Sequence, residues 1–299
     1  MTRSFGIVWT GLVLLPFCWI QAGEPAKPQP SGRTYLLRYK FKPGESVRWR
    51  VVHRAKVETT VSGTTQTAET FSSSVKLWRV IKVEPDGTAT FEHLVESVDM
   101  RQKLSGRQEI RYNSQTDDQP PAEFAPVAES IGVCLSVITL DPTGRIVSRQ
   151  RKPAKASVES EGQITIPLPK EAVPVGHRWS FPYPIDVPLE SGGIKRVQTL
   201  QQFALEDVKT GVATISVATH ILTPIDDPAI QAQLVQRESS GTVRFDIDAG
   251  RILSQQMDLD KRVVGFRGPA SSLHYATRFT EELLTKAVET ANSPKPAAK

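Results

Sequence analysis

Cysteine is nearly missing from this chain, with two in 299 residues. One of them, Cys18, sits inside an apolar N-terminal stretch, so a chain that loses that stretch keeps Cys134 alone. No internal disulfide can then form, and stability has to come from an ordinary buried core, for which the length is ample. Cys134 reads as a small packed hydrophobe of a strand. Histidine is also scarce: His53, His93, His177, His220 and His274 are the full set. No two are spaced to share a metal on one helix or strand. His93, His220 and His274 fall near strand ends or exposed faces and read as surface histidines. After residue 20 no apolar run is long enough to cross a bilayer. The longest, Ile131 to Leu140, is interrupted by Gly132, Ser136 and Thr139. Local catalytic signatures are missing as well: there is no Gly-x-Ser-x-Gly elbow, no glycine-rich phosphate loop and no zinc-protease helix. The net charge of +5 comes from 37 basic and 32 acidic residues spread along the chain. Without a concentrated basic face carrying aromatic platforms, a nucleic-acid partner is not expected.

What is present is repetition. Gly144-Arg145-Ile146-Val147-Ser148-Arg149-Gln150 returns as Gly250-Arg251-Ile252-Leu253-Ser254-Gln255-Gln256. Gly87-Thr88-Ala89-Thr90-Phe91 returns as Gly211-Val212-Ala213-Thr214-Ile215. Pro43-Gly44-Glu45, with Trp49 after it, returns as Val175-Gly176-His177, with Trp179 after it. The three echoes keep one order, which implies a duplicated unit. Period-2 alternation at Val47-Trp49-Val51 and Val75-Leu77, with turns at Ser62-Gly63 and Pro85-Asp86-Gly87, makes that unit antiparallel β. Tyr35 to Phe41 reads as an opening strand, and Ser271 to Leu284 as the last one. Each half interrupts its strands once. Phe124, Val127, Ala128 and Ile131 share a helical face within 122–131, and Ile230, Leu234 and Arg237 do so after an N-cap at Asp226 or Asp227. The expected fold is mainly β: two antiparallel units with curved sheets, each with one short helix. Trp49 and Trp179 are expected at equivalent positions, one in the core of each half.

The N-terminus has the order of a secretory signal: Arg3, the apolar Phe5 to Ile20, then the small Ala22 and Gly23. Phe17, just before Cys18, argues against a lipid-anchored cysteine. Residues 1–23 are therefore expected to be removed, leaving a periplasmic or secreted protein. A Pro-rich lead-in (24–33), a first β unit (34–152), a linker (153–163), a second β unit (164–285) and a polar tail (286–299) follow. Pro167, Pro169 and Pro174 exclude a central strand at the start of the second unit.

Two patterns suggest chemistry and lose to simpler readings. Asp246-Ile247-Asp248-Ala249-Gly250 begins like a calcium loop but has Met257 where the closing glutamate should stand, so it reads as a hairpin turn. The pairs Asp117-Asp118 and Asp226-Asp227 read as caps and turns before they read as acid–base pairs.

The stretches Phe41-Lys42-Pro43-Gly44-Glu45, Leu140-Asp141-Pro142-Thr143-Gly144-Arg145-Ile146 and Val173-Pro174-Val175-Gly176-His177-Arg178-Trp179 carry a resemblance. The chain resembles an uncharacterised family of exported β-rich proteins common in planctomycete-type bacteria. The shared motifs are turns, so the resemblance implies no catalytic residues. A weaker architectural similarity is to periplasmic lipoprotein carriers, which implies a curved sheet holding acyl chains over a helical plug. The expectation is an exported, non-enzymatic binding or scaffold protein without a cofactor. One candidate ligand is an apolar small molecule, held in a cleft faced by Val127, Ile131, Ile230 and Leu234. The alternatives are an envelope assembly factor that meets an envelope protein through its sheet edges and, third, a hydrolase whose site is assembled only in the folded chain.

Overall fold

A computed structural model describes residues 32–151, 164–189 and 192–284. The expected signal (1–23), the lead-in as far as residue 31, the linker (153–163) and the tail (286–299) lie outside the described residues. The first half supplies β1 (Thr34–Tyr35), β2 (Ser46–Val61), β3 (Thr64–Val83), β4 (Ala89–Leu104), β5 (Ile110–Asn113), β6 (Ser136–Leu140) and β7 (Ile146–Arg151). The second supplies β8 (Val173–Pro174), β9 (Arg178–Pro188), β10 (Ile194–Lys209), β11 (Val212–Ile221), β12 (Ser240–Asp246), β13 (Arg251–Val264) and β14 (Ser272–Leu283). Helix α1 (Ala125–Ala128) follows a 3-10 turn at Ala122–Phe124, and α2 (Pro228–Leu234) runs into another at Val235–Arg237.

Twelve strands form one antiparallel sheet in the order β7-β6-β4-β3-β2-β14-β13-β12-β11-β10-β9, with β5 also on β4; β1 and β8 pair separately. The two halves thus contribute to a single sheet, and β14 lies at their seam, paired to β2 on one side and β13 on the other. Outward from the seam the first half runs β2, β3, β4, β6, β7. The second half keeps the same direction across the sheet, so β9, β10, β11, β12 and β13 occupy the corresponding places.

The sequence echoes mark matching irregularities. A bulge displaces the register after Val80 in the β3–β4 pair and after Leu205 in the β10–β11 pair. Another falls beside Leu140 in β6–β7 and beside Phe245 in β12–β13. Bulges are fixed features of a pairing, so their recurrence is informative. The closing turns also match. Asp141 Oδ1 accepts from the amides of Thr143 (2.8 Å) and Arg145 (3.0 Å), while Asp246 Oδ1 accepts from Asp248 (2.9 Å) and Ala249 (2.8 Å). The calcium-like pattern is therefore a self-bonded turn.

The ladder corrects the tryptophan pairing. Gly44 donates to Val80 O and Val80 donates to Glu45 O, just as Gly176 donates to Leu205 O and Leu205 to His177 O. Counting from those bonds, Trp179 matches Val47, and Trp49 matches Phe181. The error arose because glycine-to-tryptophan spacing differs by two residues, which preserves the face of the strand while moving the position along it.

Tyr35 to Phe41 also departs from expectation, since only Thr34–Tyr35 is strand. Beyond it, backbone donors turn to loop carbonyls: Tyr39 N to Pro142 O (2.8 Å) and Lys40 N to Gly250 O (3.0 Å). The second lead-in does likewise, with Leu168 N on Thr143 O (2.7 Å). These two segments place Leu37, Tyr39, Ile166 and Leu168 in the main core, between Trp49, Trp78, Phe91 and Leu140 of one half and Phe203, Ile215, Phe245 and Ile252 of the other. Gly250 has φ +64, and a Cβ there would meet the Lys40 amide at 2.6 Å, so a side chain has no room where the brace crosses.

The prolines of β9 show why it sits at an edge. Pro182, Pro184 and Pro188 pair in register with β10, extending the strand beyond the expected Phe181. A residue without an N–H is tolerated where one side of the strand has no neighbour.

One buried polar contact crosses the seam. Lys76 of β3 pairs with Glu281 of β14, which is 4% exposed and also accepts from Gln255 Nε2 at 2.6 Å. The ammonium lies 4.8 Å and 4.9 Å from the ring centroids of Trp49 and Trp78. Lys76→Met would strand the Glu281 charge in the core. It is expected to cost about 3–5 kcal/mol in urea unfolding, and adding Glu281→Gln should restore most of that loss.

Candidate functional site

Strands β2, β3, β4, β13 and β14 run beyond the main core, and their pairing register sets what each sheet face carries. One row reads Met100, Ser72, His53, Phe279, Met257, Gly241, Val217, Phe203, Trp179 across nine strands. This is the core face, and both helices lie on it. Phe124 packs on Val98 and Tyr112, and Ile230 and Leu234 pack on Val187 and Val197.

The opposite face carries charge. Its central row is Arg101 (β4), Phe71 (β3), Arg54 (β2), Arg278 (β14), Asp258 (β13) and Ser240 (β12). The next row is Lys103, Glu69, Lys56, Ala276 and Asp260. These rows floor an open groove of about 1200 Å³, whose walls include Glu109 and Glu238. A twisted sheet is saddle-shaped and therefore concave along one diagonal on each face, so a groove here is compatible with a core on the other side. A smaller recess of about 210 Å³ lies at the far end of β2 and β3, lined by Val57, Gln66, Ala68, Leu104 and Arg107.

Arg54 and Arg101 both lie over Phe71, with guanidinium carbons 5.2 Å and 5.1 Å from its ring centroid. Across the seam, Arg278 Nε donates to Asp258 Oδ1 at 2.6 Å. That bond, followed by one from Gln256, holds the Asp258 carboxyl below its ordinary range. Lys56 pairs with Glu58 at 2.8 Å, which raises the amine and lowers the carboxyl. His274 bridges the next row, with Nε2 2.7 Å from Asp260 Oδ1 and Nδ1 3.3 Å from Glu58 Oε2.

The expected cleft residues are gathered in two places. Val127 and Ile131 are half-buried in the cluster around Phe124. Ile230 and Leu234 are buried, the latter 1% exposed, in the cluster around Val197. The structure does not bring the four together, and the large groove lies on the face away from both helices. Asp227 caps α2, accepting from Ala229 N at 2.8 Å. Asp117 accepts from Asn113 N at 2.7 Å. Cys134 precedes β6 instead of lying within it, with Sγ 3.6 Å from Ser136 O. Among the described residues no group of three or more His, Cys, Asp and Glu is placed to hold a metal ion.

One histidine departs from the surface reading, while His274 keeps to the exposed groove face. His93 pairs with Trp78 across β3 and β4, and burial, helped by the Lys76 and Arg149 charges, lowers its pKa to about 4. His274 is raised from its usual 6.5, first by Asp260 and then by Glu58. The groove row itself escaped the sequence reading because its members come from separate strands. Alternation assigns Arg54 to a face, but only the register sets it beside Phe71 and Arg278.

No family model matches the chain, and no curated protein matches it. Among solved structures it is similar to lipovitellin, in a structure describing lipid–protein interactions, at 13% identity and a TM-score of 0.42. That likeness covers 87% of this chain and 27% of the lipovitellin chain. It is also similar to DynF from the dynemicin biosynthesis pathway of Micromonospora chersina, at 8% identity and a TM-score of 0.21, over 89% of this chain and 96% of that one. The chain spans about a quarter of the lipovitellin chain.

The two histidines give opposite pH signatures. Folded His274 holds its proton more tightly than the unfolded chain, so its stabilisation is fully present below pH 6.5 and is lost as pH rises through the raised value. Folded His93 resists protonation, so its contribution is present above pH 6.5 and is lost as pH falls toward about 4. In melting curves across pH, His274→Gln should flatten the decline above pH 6.5, and His93→Gln should flatten the decline below it.

Proposed function

We propose that the chain is an exported, non-enzymatic binding protein that holds its ligand in the groove on β2, β3, β4, β13 and β14. The observation that carries this reading is the groove itself. It spans about 1200 Å³ across the seam of the halves, with Phe71 and its two arginines set in the floor. Export rests on the charge, apolar core and small-residue order of the first 23 residues.

The lining favours binding over turnover. It contains no histidine and no cysteine, and the one lining hydroxyl that meets an imidazole, Thr277 beside His53 Nε2, belongs by register to the core face. Asp258 and Asp260 lie on one face of β13, as paired carboxylates of a glycosidase would. A glycosidase needs one carboxyl that keeps its proton. Asp258 is instead held ionised by Arg278, and Asp260 is engaged by His274.

An assembly role through the sheet edges has less support. The β9 edge carries Pro182, Pro184 and Pro188, and the β7 edge offers six residues. Prolines and short strands are devices that prevent strand addition. The apolar residues expected to face a ligand are committed to packing between helix and sheet, so the charged face becomes the binding face.

Ala276→Trp obstructs the groove floor with a side chain that the open face accommodates. Native mass spectrometry of protein purified from its own envelope should show a bound ligand on the wild type that is lost from the variant. Matching melting curves for the two proteins would show that the fold is kept. Retention of that ligand by the variant, or no ligand on either, would overturn the groove as the binding site.

A further inference from the structure

We propose that the groove takes an acidic oligosaccharide, with its carboxylate or sulfate groups held by Arg54 and Arg101. This deepens the reading above and rests on it. The starting point is how the groove's ion pairs close. On the β13 side each acid has a cation: Asp258 has Arg278, Asp260 has His274 and Glu238 has Lys261. On the β2–β4 side the match fails. Neither Arg54 nor Lys103 has a carboxylate within ion-pair distance among the described residues, and Arg101 reaches only Asp99, at 3.4 Å. Glu69, between Lys56 and Lys103 in the next row, and Glu109 at the wall, itself paired with Arg111, offset part of this excess. Arg54 also stands directly opposite Arg278 on β14. Like charges opposite each other on neighbouring strands are destabilising, and a bound anion would relieve them.

The geometry then narrows the anion. The backbones of Arg54 and Arg101 are two strands apart, about 10 Å, and their guanidiniums share one Phe71 ring, so two acidic groups on one chain can each meet an arginine. Phe71 lies between them and braces both, which lowers the ordering cost of binding. A groove open along its length accepts a chain, and an extended run of linked acidic sugar rings presents its acid groups on alternate rings at comparable intervals. A peptide is less well served. Sheets capture peptides through backbone groups at an edge, whereas on this face the backbone is consumed by the ladder. A flat anionic bilayer does not follow a concave recess on a sheet face.

The test is calorimetric titration of the full chain with a hexamer of 1,4-linked uronic acid and with a neutral hexamer of the same linkage. Binding is expected for the acidic hexamer alone and should weaken as salt is raised. Arg54→Gln and Arg101→Gln should each lower affinity roughly tenfold, while Lys195→Gln, on the core face, should leave it unchanged. Equal affinity for the neutral hexamer, no binding to either, or binding unaltered in the double arginine variant would overturn the proposal. So would binding to phosphatidylglycerol vesicles without binding to the hexamer. If a co-purifying ligand is lost with Ala276→Trp yet the acidic hexamer does not bind, the oligosaccharide assignment fails and the groove reading stands.

Discussion

The pairing of β14 between β2 and β13 is the constraint on which the remaining architecture depends. Without it each half would present an unpaired strand at the seam, and the twelve-stranded sheet would be two smaller ones. The contacts that make it are far apart in the chain: His53 and Thr277, hydrogen-bonded at 2.8 Å, are 224 positions apart. The last described strand therefore completes the middle of the sheet, and the main core cannot close before it arrives. Such pairings must offset loop-closure entropy before they gain anything, which predisposes the fold to slow formation. The buried Lys76–Glu281 pair and Gln255 tie β3, β14 and β13 together at this seam. An ion pair removed from water is a weak source of net stability, but it penalises any register that would leave either charge unpaired.

A second set of contacts makes the halves interdependent. The lead-in to the first half donates from Lys40 to the closing turn of the second, at Gly250. The lead-in to the second donates from Leu168 to the closing turn of the first, at Thr143. Each half thus braces the hairpin of the other, and both lead-ins fill the space between the folded ends of the sheet. This explains why strand-like alternation at Leu37 and Tyr39 does not produce a strand. The side chains alternate into a core as they would from a sheet, while the backbone bonds turn carbonyls instead of a neighbouring ladder.

The sequence made most of the elements legible because they depend on local rules. Period-2 alternation, turns with glycine at positive φ, and the cap at Asp227 each report on a few neighbouring residues. The repeats were legible for the same reason, since the Gly144 and Gly250 turns follow one recipe. Misreadings began where the answer depended on register. Distance from a glycine matches Trp49 with Trp179, and only the ladder bonds at Val80 and Leu205 show the offset. His93 reads as a surface residue because its own strand does not reveal that Trp78 and Lys76 lie beside it. The groove was illegible altogether. Arg54, Phe71, Arg101 and Arg278 come from four strands of two halves, and no sequence period places them in one row.

The location of the groove follows from how the sheet's two faces are used. The core face is occupied by the lead-ins and by both helices, whose apolar residues are consumed in packing. The long strands nevertheless continue beyond the core, and their outward residues must meet water, which selects charge. Twist gives that outward face its concavity at no cost to the core behind it. A polar face of this kind would ordinarily neutralise itself through neighbouring pairs, and on the β13 side it does so. The arginines around Phe71 break that pattern: Arg54 has no carboxylate partner among the described residues and faces Arg278, whose own charge is answered by Asp258. An exposed cation held over Phe71 without an acid partner is explained by what it meets from solution, since no pairing within the fold uses its charge. That is the physical ground for placing recognition on this face and not beside the helices.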